Sequence, residues 1–198
     1  MERWVLLRKG ADFEAIGKKY QISPRLACLI RNRDVIGEEA VDRYLNGTIS
    51  DLYDGMLMKD MDKAIDILKE KILEDKKIRV IGDYDIDGVN ATYILLEGLE
   101  RLGADVDSDI PDRISDGYGL NRHLVERAYE AGVDTLITCD NGIAAADEIA
   151  YGKEMGMTVI VTDHHEVTFD EQDGEKRYRI PPADAVMDPK QPDCLYPF

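Results

Sequence analysis

Asp83, Asp85 and Asp87 fall within five positions, directly after the apolar run Ile78-Arg79-Val80-Ile81 and Gly82. Carboxylates that close repel one another unless a counter-charge lies among them. Asp140-Asn141-Gly142 and Asp163-His164-His165 follow along the chain, each again at the end of an apolar run. Imidazole with carboxylates and no thiolate suits Mn2+, Fe2+ or Zn2+, and an oxygen-rich majority leans toward Mn2+ or Mg2+. Two cations roughly 3.5 to 4 Å apart create hydroxide from water and stabilise charge on a phosphoryl centre, so metal-assisted hydrolysis is the chemistry these residues suit.

Simpler explanations are weaker for the groups than for single residues. A lone Asp after a strand is most often a helix N-cap, and Asp140 alone would be read so. Asp83 to Gly88 also fits the first half of an EF-hand loop, but position twelve is Ile94 where a bidentate Glu is needed, and the segment follows a strand. The chain has three histidines, and His123, on a predicted helix, reads as structural or solvated. No Walker A loop, GxGxxG, GxSxG or HExxH occurs, so nucleoside triphosphate hydrolysis, dinucleotide redox and serine-hydrolase chemistry have no support.

The elements that must position these groups alternate strand and helix. Strands are expected at Ile78–Ile81, Val106–Ile110, Thr135–Thr138, Thr158–Val161 and Ala185–Met187. Helices are expected at Val89–Leu102, Arg122–Ala131 and Ala144–Met155, closed by Gly103, Gly132 and Gly156. This predicts an α/β fold, an open, mainly parallel sheet with helices on both faces. Ligands then bind beyond the carboxyl ends of the strands. The remaining strand ends carry Pro111-Asp112-Arg113 with Asp116-Gly117-Tyr118-Gly119, and Asp188-Pro189. Residues 166–182 read as a surface hairpin or loop. Before the sheet, helical spacing from Met61 to Ile72 and short helices at Arg25–Ile30 and Glu38–Leu45 predict a helical extension over residues 1–57, with the sheet domain at 58–198.

A net charge of −16 argues against a general nucleic-acid-binding surface and favours solubility, with metal at particular places. No apolar run is long enough to span a bilayer, and Cys28, Cys139 and Cys194 form no pair, so the expectation is a cytoplasmic protein without a disulfide framework.

Gly82-Asp83-Tyr84-Asp85-Ile86-Asp87-Gly88, Asp140-Asn141-Gly142 and Thr162-Asp163-His164-His165 resemble the successive motifs of the DHH phosphoesterases. "ISPRLACLIRNRDV", "MKDMDKAIDILKEKI", "PDRISDGYGLN" and "DPKQPDCLYPF" resemble the RecJ branch, single-strand-specific 5′ to 3′ DNA exonucleases. The resemblance implies that Asp83, Asp85, Asp87, Asp140 and His164 hold Mn2+ or Mg2+, with Asp140 bridging two ions. It implies a catalytic set of Asp85, Asp87, Asp140, His164 and His165, the last a phosphate contact or acid. Arg113, Gly117, Tyr118, Gly119 and Asn141, with His165, would face the strand being cut.

Ile86 and Asp188-Pro189 depart from the family's usual small residue and Asn-Pro, and neither removes a ligand. RecJ-like proteins continue well past "CLYPF" and supply another aspartate, so the resemblance also implies an N-terminal fragment with weak metal binding. Implied partners are single-stranded DNA with a 5′ end, a single-strand-binding protein and a helicase, with the enzyme itself a monomer. Alternatives are a DHH enzyme acting on oligoribonucleotides, cyclic dinucleotides or pyrophosphate, and a non-catalytic DHH scaffold.

Overall fold

Three helices open the chain in the computed structural model: α1 (Phe13–Tyr20), α2 (Pro24–Asn32) and α3 (Glu38–Asn46). The structure describes residues 4–5, 9–172 and 174–197; the rest of the N-terminal segment, Asp173 and Phe198 lie outside the described residues. Ser23 and Pro24 start α2 as expected, the Ser23 hydroxyl accepting from the Leu26 N–H at 3.2 Å. An additional cap at Asp12, accepting from Ala15 N at 2.9 Å, starts α1. These helices belong to one compact unit, Met1–Tyr53, and everything that follows to a second, Asp54–Phe198.

In the second unit α4 (Met61–Leu73) leads into β1 (Ile78–Ile81), α5 (Ile86–Arg101), β2 (Val106–Asp109), α6 (Arg122–Glu130), β3 (Thr135–Cys139), α7 (Ala146–Glu154) and β4 (Thr158–Thr162). A hairpin of β5 (Phe169–Gln172) and β6 (Glu175–Tyr178) precedes β7 (Ala185–Met187). Five strands form one parallel sheet in the order β2-β1-β3-β4-β7. Consecutive side chains on these strands enter opposite layers, as strand geometry demands. Ile81, Leu136, Val159 and Val161 pack with Leu124, Val125 and Ile149 under α6 and α7. Val80, Ile137 and Ile160 pack with Ala64 and Leu99 under α4 and α5. Helices therefore cover both faces, and the sheet is an open parallel one.

The register decides what meets at the carboxyl edge. Ile81 is level with Asp109 and Thr138, Thr138 with Val161, and Thr162 with Met187, so all five chains leave the sheet within one residue of the same line. From β1 the chain turns to β2 on one side and to β3 on the other. That change of direction opens a crevice between β1 and β3, where ligands bind in such sheets.

One local expectation beside the site changes. Helix α5 starts at Ile86, not Val89, because the Asp85 side chain caps it by accepting from the N–H groups of Asp87 and Gly88. Asp87 therefore lies in the first turn of this helix. The stretch 166–182 contains the expected surface hairpin, β5 antiparallel to β6 with Phe169 opposite Tyr178. Among the described residues no helix is long and apolar enough to cross a membrane.

Candidate metal centre

Asp83 leaves β1 and turns inward. It is fully buried, and neither of its carboxylate oxygens has a hydrogen-bond partner. A buried carboxylate left so is costly by several kcal/mol unless a cation balances it. The close turn depends on Gly88, where a Cβ would stand 2.6 Å from both the N and the O of Asp83.

Asp140 leaves β3 beside it, buried, in a left-handed conformation with φ 59°. That conformation costs a non-glycine residue about 1–2 kcal/mol, and it turns the carboxylate onto the sheet edge instead of capping a helix; α7 starts after Ala145 with no side-chain cap. Gly142, at φ 111°, lets the chain return so closely that a Cβ would meet Thr138 Oγ1 at 2.4 Å. Burial pushes the Asp140 pKa up, His164 opposes this, and the carboxylates of Asp87 and Asp85 add to it.

His164 leaves β4 and reaches back, its Nε2 2.8 Å from Asp140 Oδ1 and 3.5 Å from Asp87 Oδ2. Two groupings of potential ligand atoms follow, each within 4.8 Å: Asp83, Asp85 and Asp140 in one, Asp140, His164 and His165 in the other. Asp140 is common to both. Asp85 serves in the first although Oδ1 caps α5, and the N–H groups of Gly88 and then Asp87 hold its pKa below the usual range. Asp87 falls in neither grouping, and its Oδ2 lies 3.5 Å from His164 Nε2.

Both ring nitrogens of His165 are otherwise engaged. Nδ1 lies 2.7 Å from Asp163 Oδ1, and Nε2 lies 3.1 Å from the Tyr118 hydroxyl. Hydrogen bonding to Asp163 raises the His165 pKa. Asp163, which its sequence context alone did not single out as functional, organises the motif. Its two oxygens accept from the N–H groups of His164 (2.7 Å), His165 (3.2 Å) and Ile143 (2.9 Å), joining the ends of β3 and β4. The signal was its place just before two histidines at a strand's end.

Tyr118 reaches the centre from the loop after β2. Its hydroxyl donates to the Asp140 carbonyl at 3.4 Å, and its pKa is pushed up to about 12 by burial and then by the charge of Asp83 and Asp140. Its ring stands edge-on to Tyr84, centroids 6.1 Å apart, and the Arg113 guanidinium lies 5.3 Å from the Tyr84 centroid. Gly117 and Gly119 shape that loop at φ 81° and 70°. Asn141 is turned inward: its amide donates to the carbonyls of Ile81 (3.1 Å) and Cys139 (2.9 Å), tying β1 to β3. The orphaned oxygens of Asp83 and the shared position of Asp140 make this donor set fit a divalent cation, oxygen-rich with imidazole at one side.

Residues 77–195 match the family model described as the DHH family, N-terminal domain. The chain belongs to the DHH family. This DHH chain is 39% identical over 197 residues to the single-stranded-DNA-specific exonuclease RecJ of Bacillus subtilis (strain 168), covering 99% of itself and 24% of that protein. It is 29% identical over 198 residues to the RecJ of Escherichia coli (strain K12), covering 100% of itself and 32% of that protein.

Among solved structures it resembles RecJ in complex with Mn2+ from Thermus thermophilus, with TM-score 0.62 and 30% identity over 98% of this chain and 26% of that one. It also resembles exonuclease RecJ bound to manganese, with TM-score 0.60 and 38% identity over 72% of this chain and 34% of that one. The DHH chain thus spans 24% and 32% of the length of the two curated relatives named.

Proposed function

We propose that this chain carries the metal centre of a phosphodiesterase that removes nucleotides from single-stranded DNA, working with Mn2+ or Mg2+ at the 5′ end of the strand. The observation that carries the proposal is Asp140, common to two ligand groupings and adjoining a buried carboxylate, Asp83, without a hydrogen-bond partner. The similarity to RecJ exonucleases, and to RecJ structures holding Mn2+, supports the substrate and the metal. Asp83, Asp85, Asp140 and His164 would hold the ions, with Asp87, 3.5 Å from His164, beside them. When bound there, divalent cations lower the pKa of water and neutralise the phosphoryl charge.

The chain's own groups do the rest. Asp163 fixes the His165 ring through Nδ1 and favours its protonated form, so Nε2 holds a proton that can pass to the departing oxygen. Tyr118, kept as a phenol, donates to the Asp140 carbonyl and accepts from the protonated Nε2, which sets the plane of that ring. Arg113 offers a planar cation to a phosphate at the β2 flank. Asn141 serves by keeping the crevice between β1 and β3 in shape. A cytoplasmic setting accords with three free cysteines.

The test is a 5′-labelled single strand, its duplex and a dinucleotide incubated with Mn2+ and the gene product as the cell makes it. Mononucleotide release from the single strand alone, lost in Asp140→Ala, is the expected result. Cleavage of the dinucleotide with the long strand untouched would sink the DNA assignment.

A further inference from the structure

The carboxyl edge of the sheet is flanked by two cations. Arg113 follows β2 on one side, and Lys190 follows β7 on the other, two residues beyond Asp188. The turn that presents Lys190 is firmly built. Asp188 Oδ1 accepts from the Lys190 N–H at 2.7 Å, and the buried Gln191 amide donates to the carbonyls of Val186 (2.8 Å) and Asp188 (3.3 Å). The Asp163 N–H donates to the Met187 carbonyl at 3.0 Å, which seats this turn against the strand end bearing His164 and His165. A rigid base of this kind aims a long side chain at little entropic cost to its backbone.

The Lys190 ammonium rests 3.0 Å from Glu166 Oε1, the carboxylate next to His165. Glu166 is 86% exposed on its side chain, so the pair is solvent-screened and weak. A phosphate, with more charge and several acceptor oxygens, outcompetes such a carboxylate. In a chain of net charge −16 an ammonium held loosely at the lip of a phosphodiesterase centre has an evident use.

We propose that Lys190 is a substrate-contact residue, its ammonium leaving Glu166 to bind a backbone phosphate of the DNA strand on the β7 flank of the centre; this rests on the function proposed above. Glu166 then acts as a competing placeholder. Lys190 and Glu166 have opposite effects on DNA affinity, whereas a purely structural ion pair would make their substitutions equivalent.

The experiment titrates a fluorescent, 5′-phosphorylated phosphorothioate oligo(dT), which resists turnover, with the chain in Mn2+ at several salt concentrations. Lys190→Met is expected to weaken binding about five- to tenfold and to lower the slope of log K against log salt by about 0.7, the share of one single-strand phosphate. Glu166→Gln is expected to tighten binding, and Lys190→Arg to retain it. On the unaltered chain, the oligonucleotide is expected to shield Lys190 from acetylation while leaving Lys153, paired with Asp184, unchanged.

Unaltered affinity and slope in Lys190→Met, losses of similar size in Lys190→Met and Glu166→Gln, or undiminished acetylation of Lys190 would overturn the assignment while leaving the proposed function standing. Absence of any DNA binding by the unaltered chain would overturn both.

Discussion

Asp140 Oδ1 stands 2.8 Å from His164 Nε2, bringing the ends of β3 and β4 to one point in front of the buried Asp83. Asp140 joins the two ligand groupings, and its strained backbone places it there. Strain of that kind persists only where the surrounding structure holds it, here through the Asp140 N–H donating to the Thr162 carbonyl at 3.1 Å.

Gly88 should tolerate no side chain. An alanine Cβ would stand 2.6 Å from the Asp83 backbone, so either α5 or the β1 turn has to move. Gly88→Ala is expected to cost about 3 kcal/mol, the upper part of the range for overpacking, in urea unfolding. It should also weaken Mn2+ binding, because Asp83 moves with the turn. A variant of unchanged midpoint would show that the turn is looser than described.

Asp163 is expected to matter more for stability than the histidine it orients. Replacing it with alanine strips acceptors from three backbone N–H groups, those of Ile143, His164 and His165, at about 1–3 kcal/mol for each buried one. His165→Ala removes only an exposed ring. Thermal melts should show the larger drop for Asp163→Ala, and equal drops would contradict its role as organiser.

Asp188 makes stability depend on pH in the unusual direction. Burial raises its pKa from 3.8 to about 6, with Lys190 and His164 pulling the other way, and one of its oxygens has no partner. The folded state therefore binds its proton more tightly than the unfolded state does. Stability contributed by this group is full below the unfolded value and falls as pH rises toward about 6. The gap from 3.8 to about 6 corresponds to about 3 kcal/mol. With chelator present, Asp188→Asn should be more stable than the parent above about pH 6 and lack this slope. A variant that keeps the slope would place its origin in another group.

Much of this was legible in the sequence because apolar runs end where chemistry begins. Ile78–Ile81 announced β1, and the runs before Asp140 and Asp163 announced β3 and β4, so the sheet and the edge bearing the carboxylates could be named. The local path after Gly82 was not legible. Whether Asp85 caps a helix or faces a metal depends on a backbone turn that side-chain periodicity does not encode. The inward turn of Asn141 and the network around Asp163 were hidden for a related reason. Both satisfy backbone groups 20 to 60 residues away, and such partners exist only once the sheet has formed.

Asp140 is the residue through which these carboxylates are proposed to hold metal. The decisive measurement is a calorimetric Mn2+ titration of the 198-residue chain beside Asp140→Ala, with folding of both checked by circular dichroism. Mn2+ binding by the parent chain and its loss in the variant are the predicted results, since both groupings share that residue. Mn2+ binding of equal affinity and stoichiometry in the two proteins would contradict the claim.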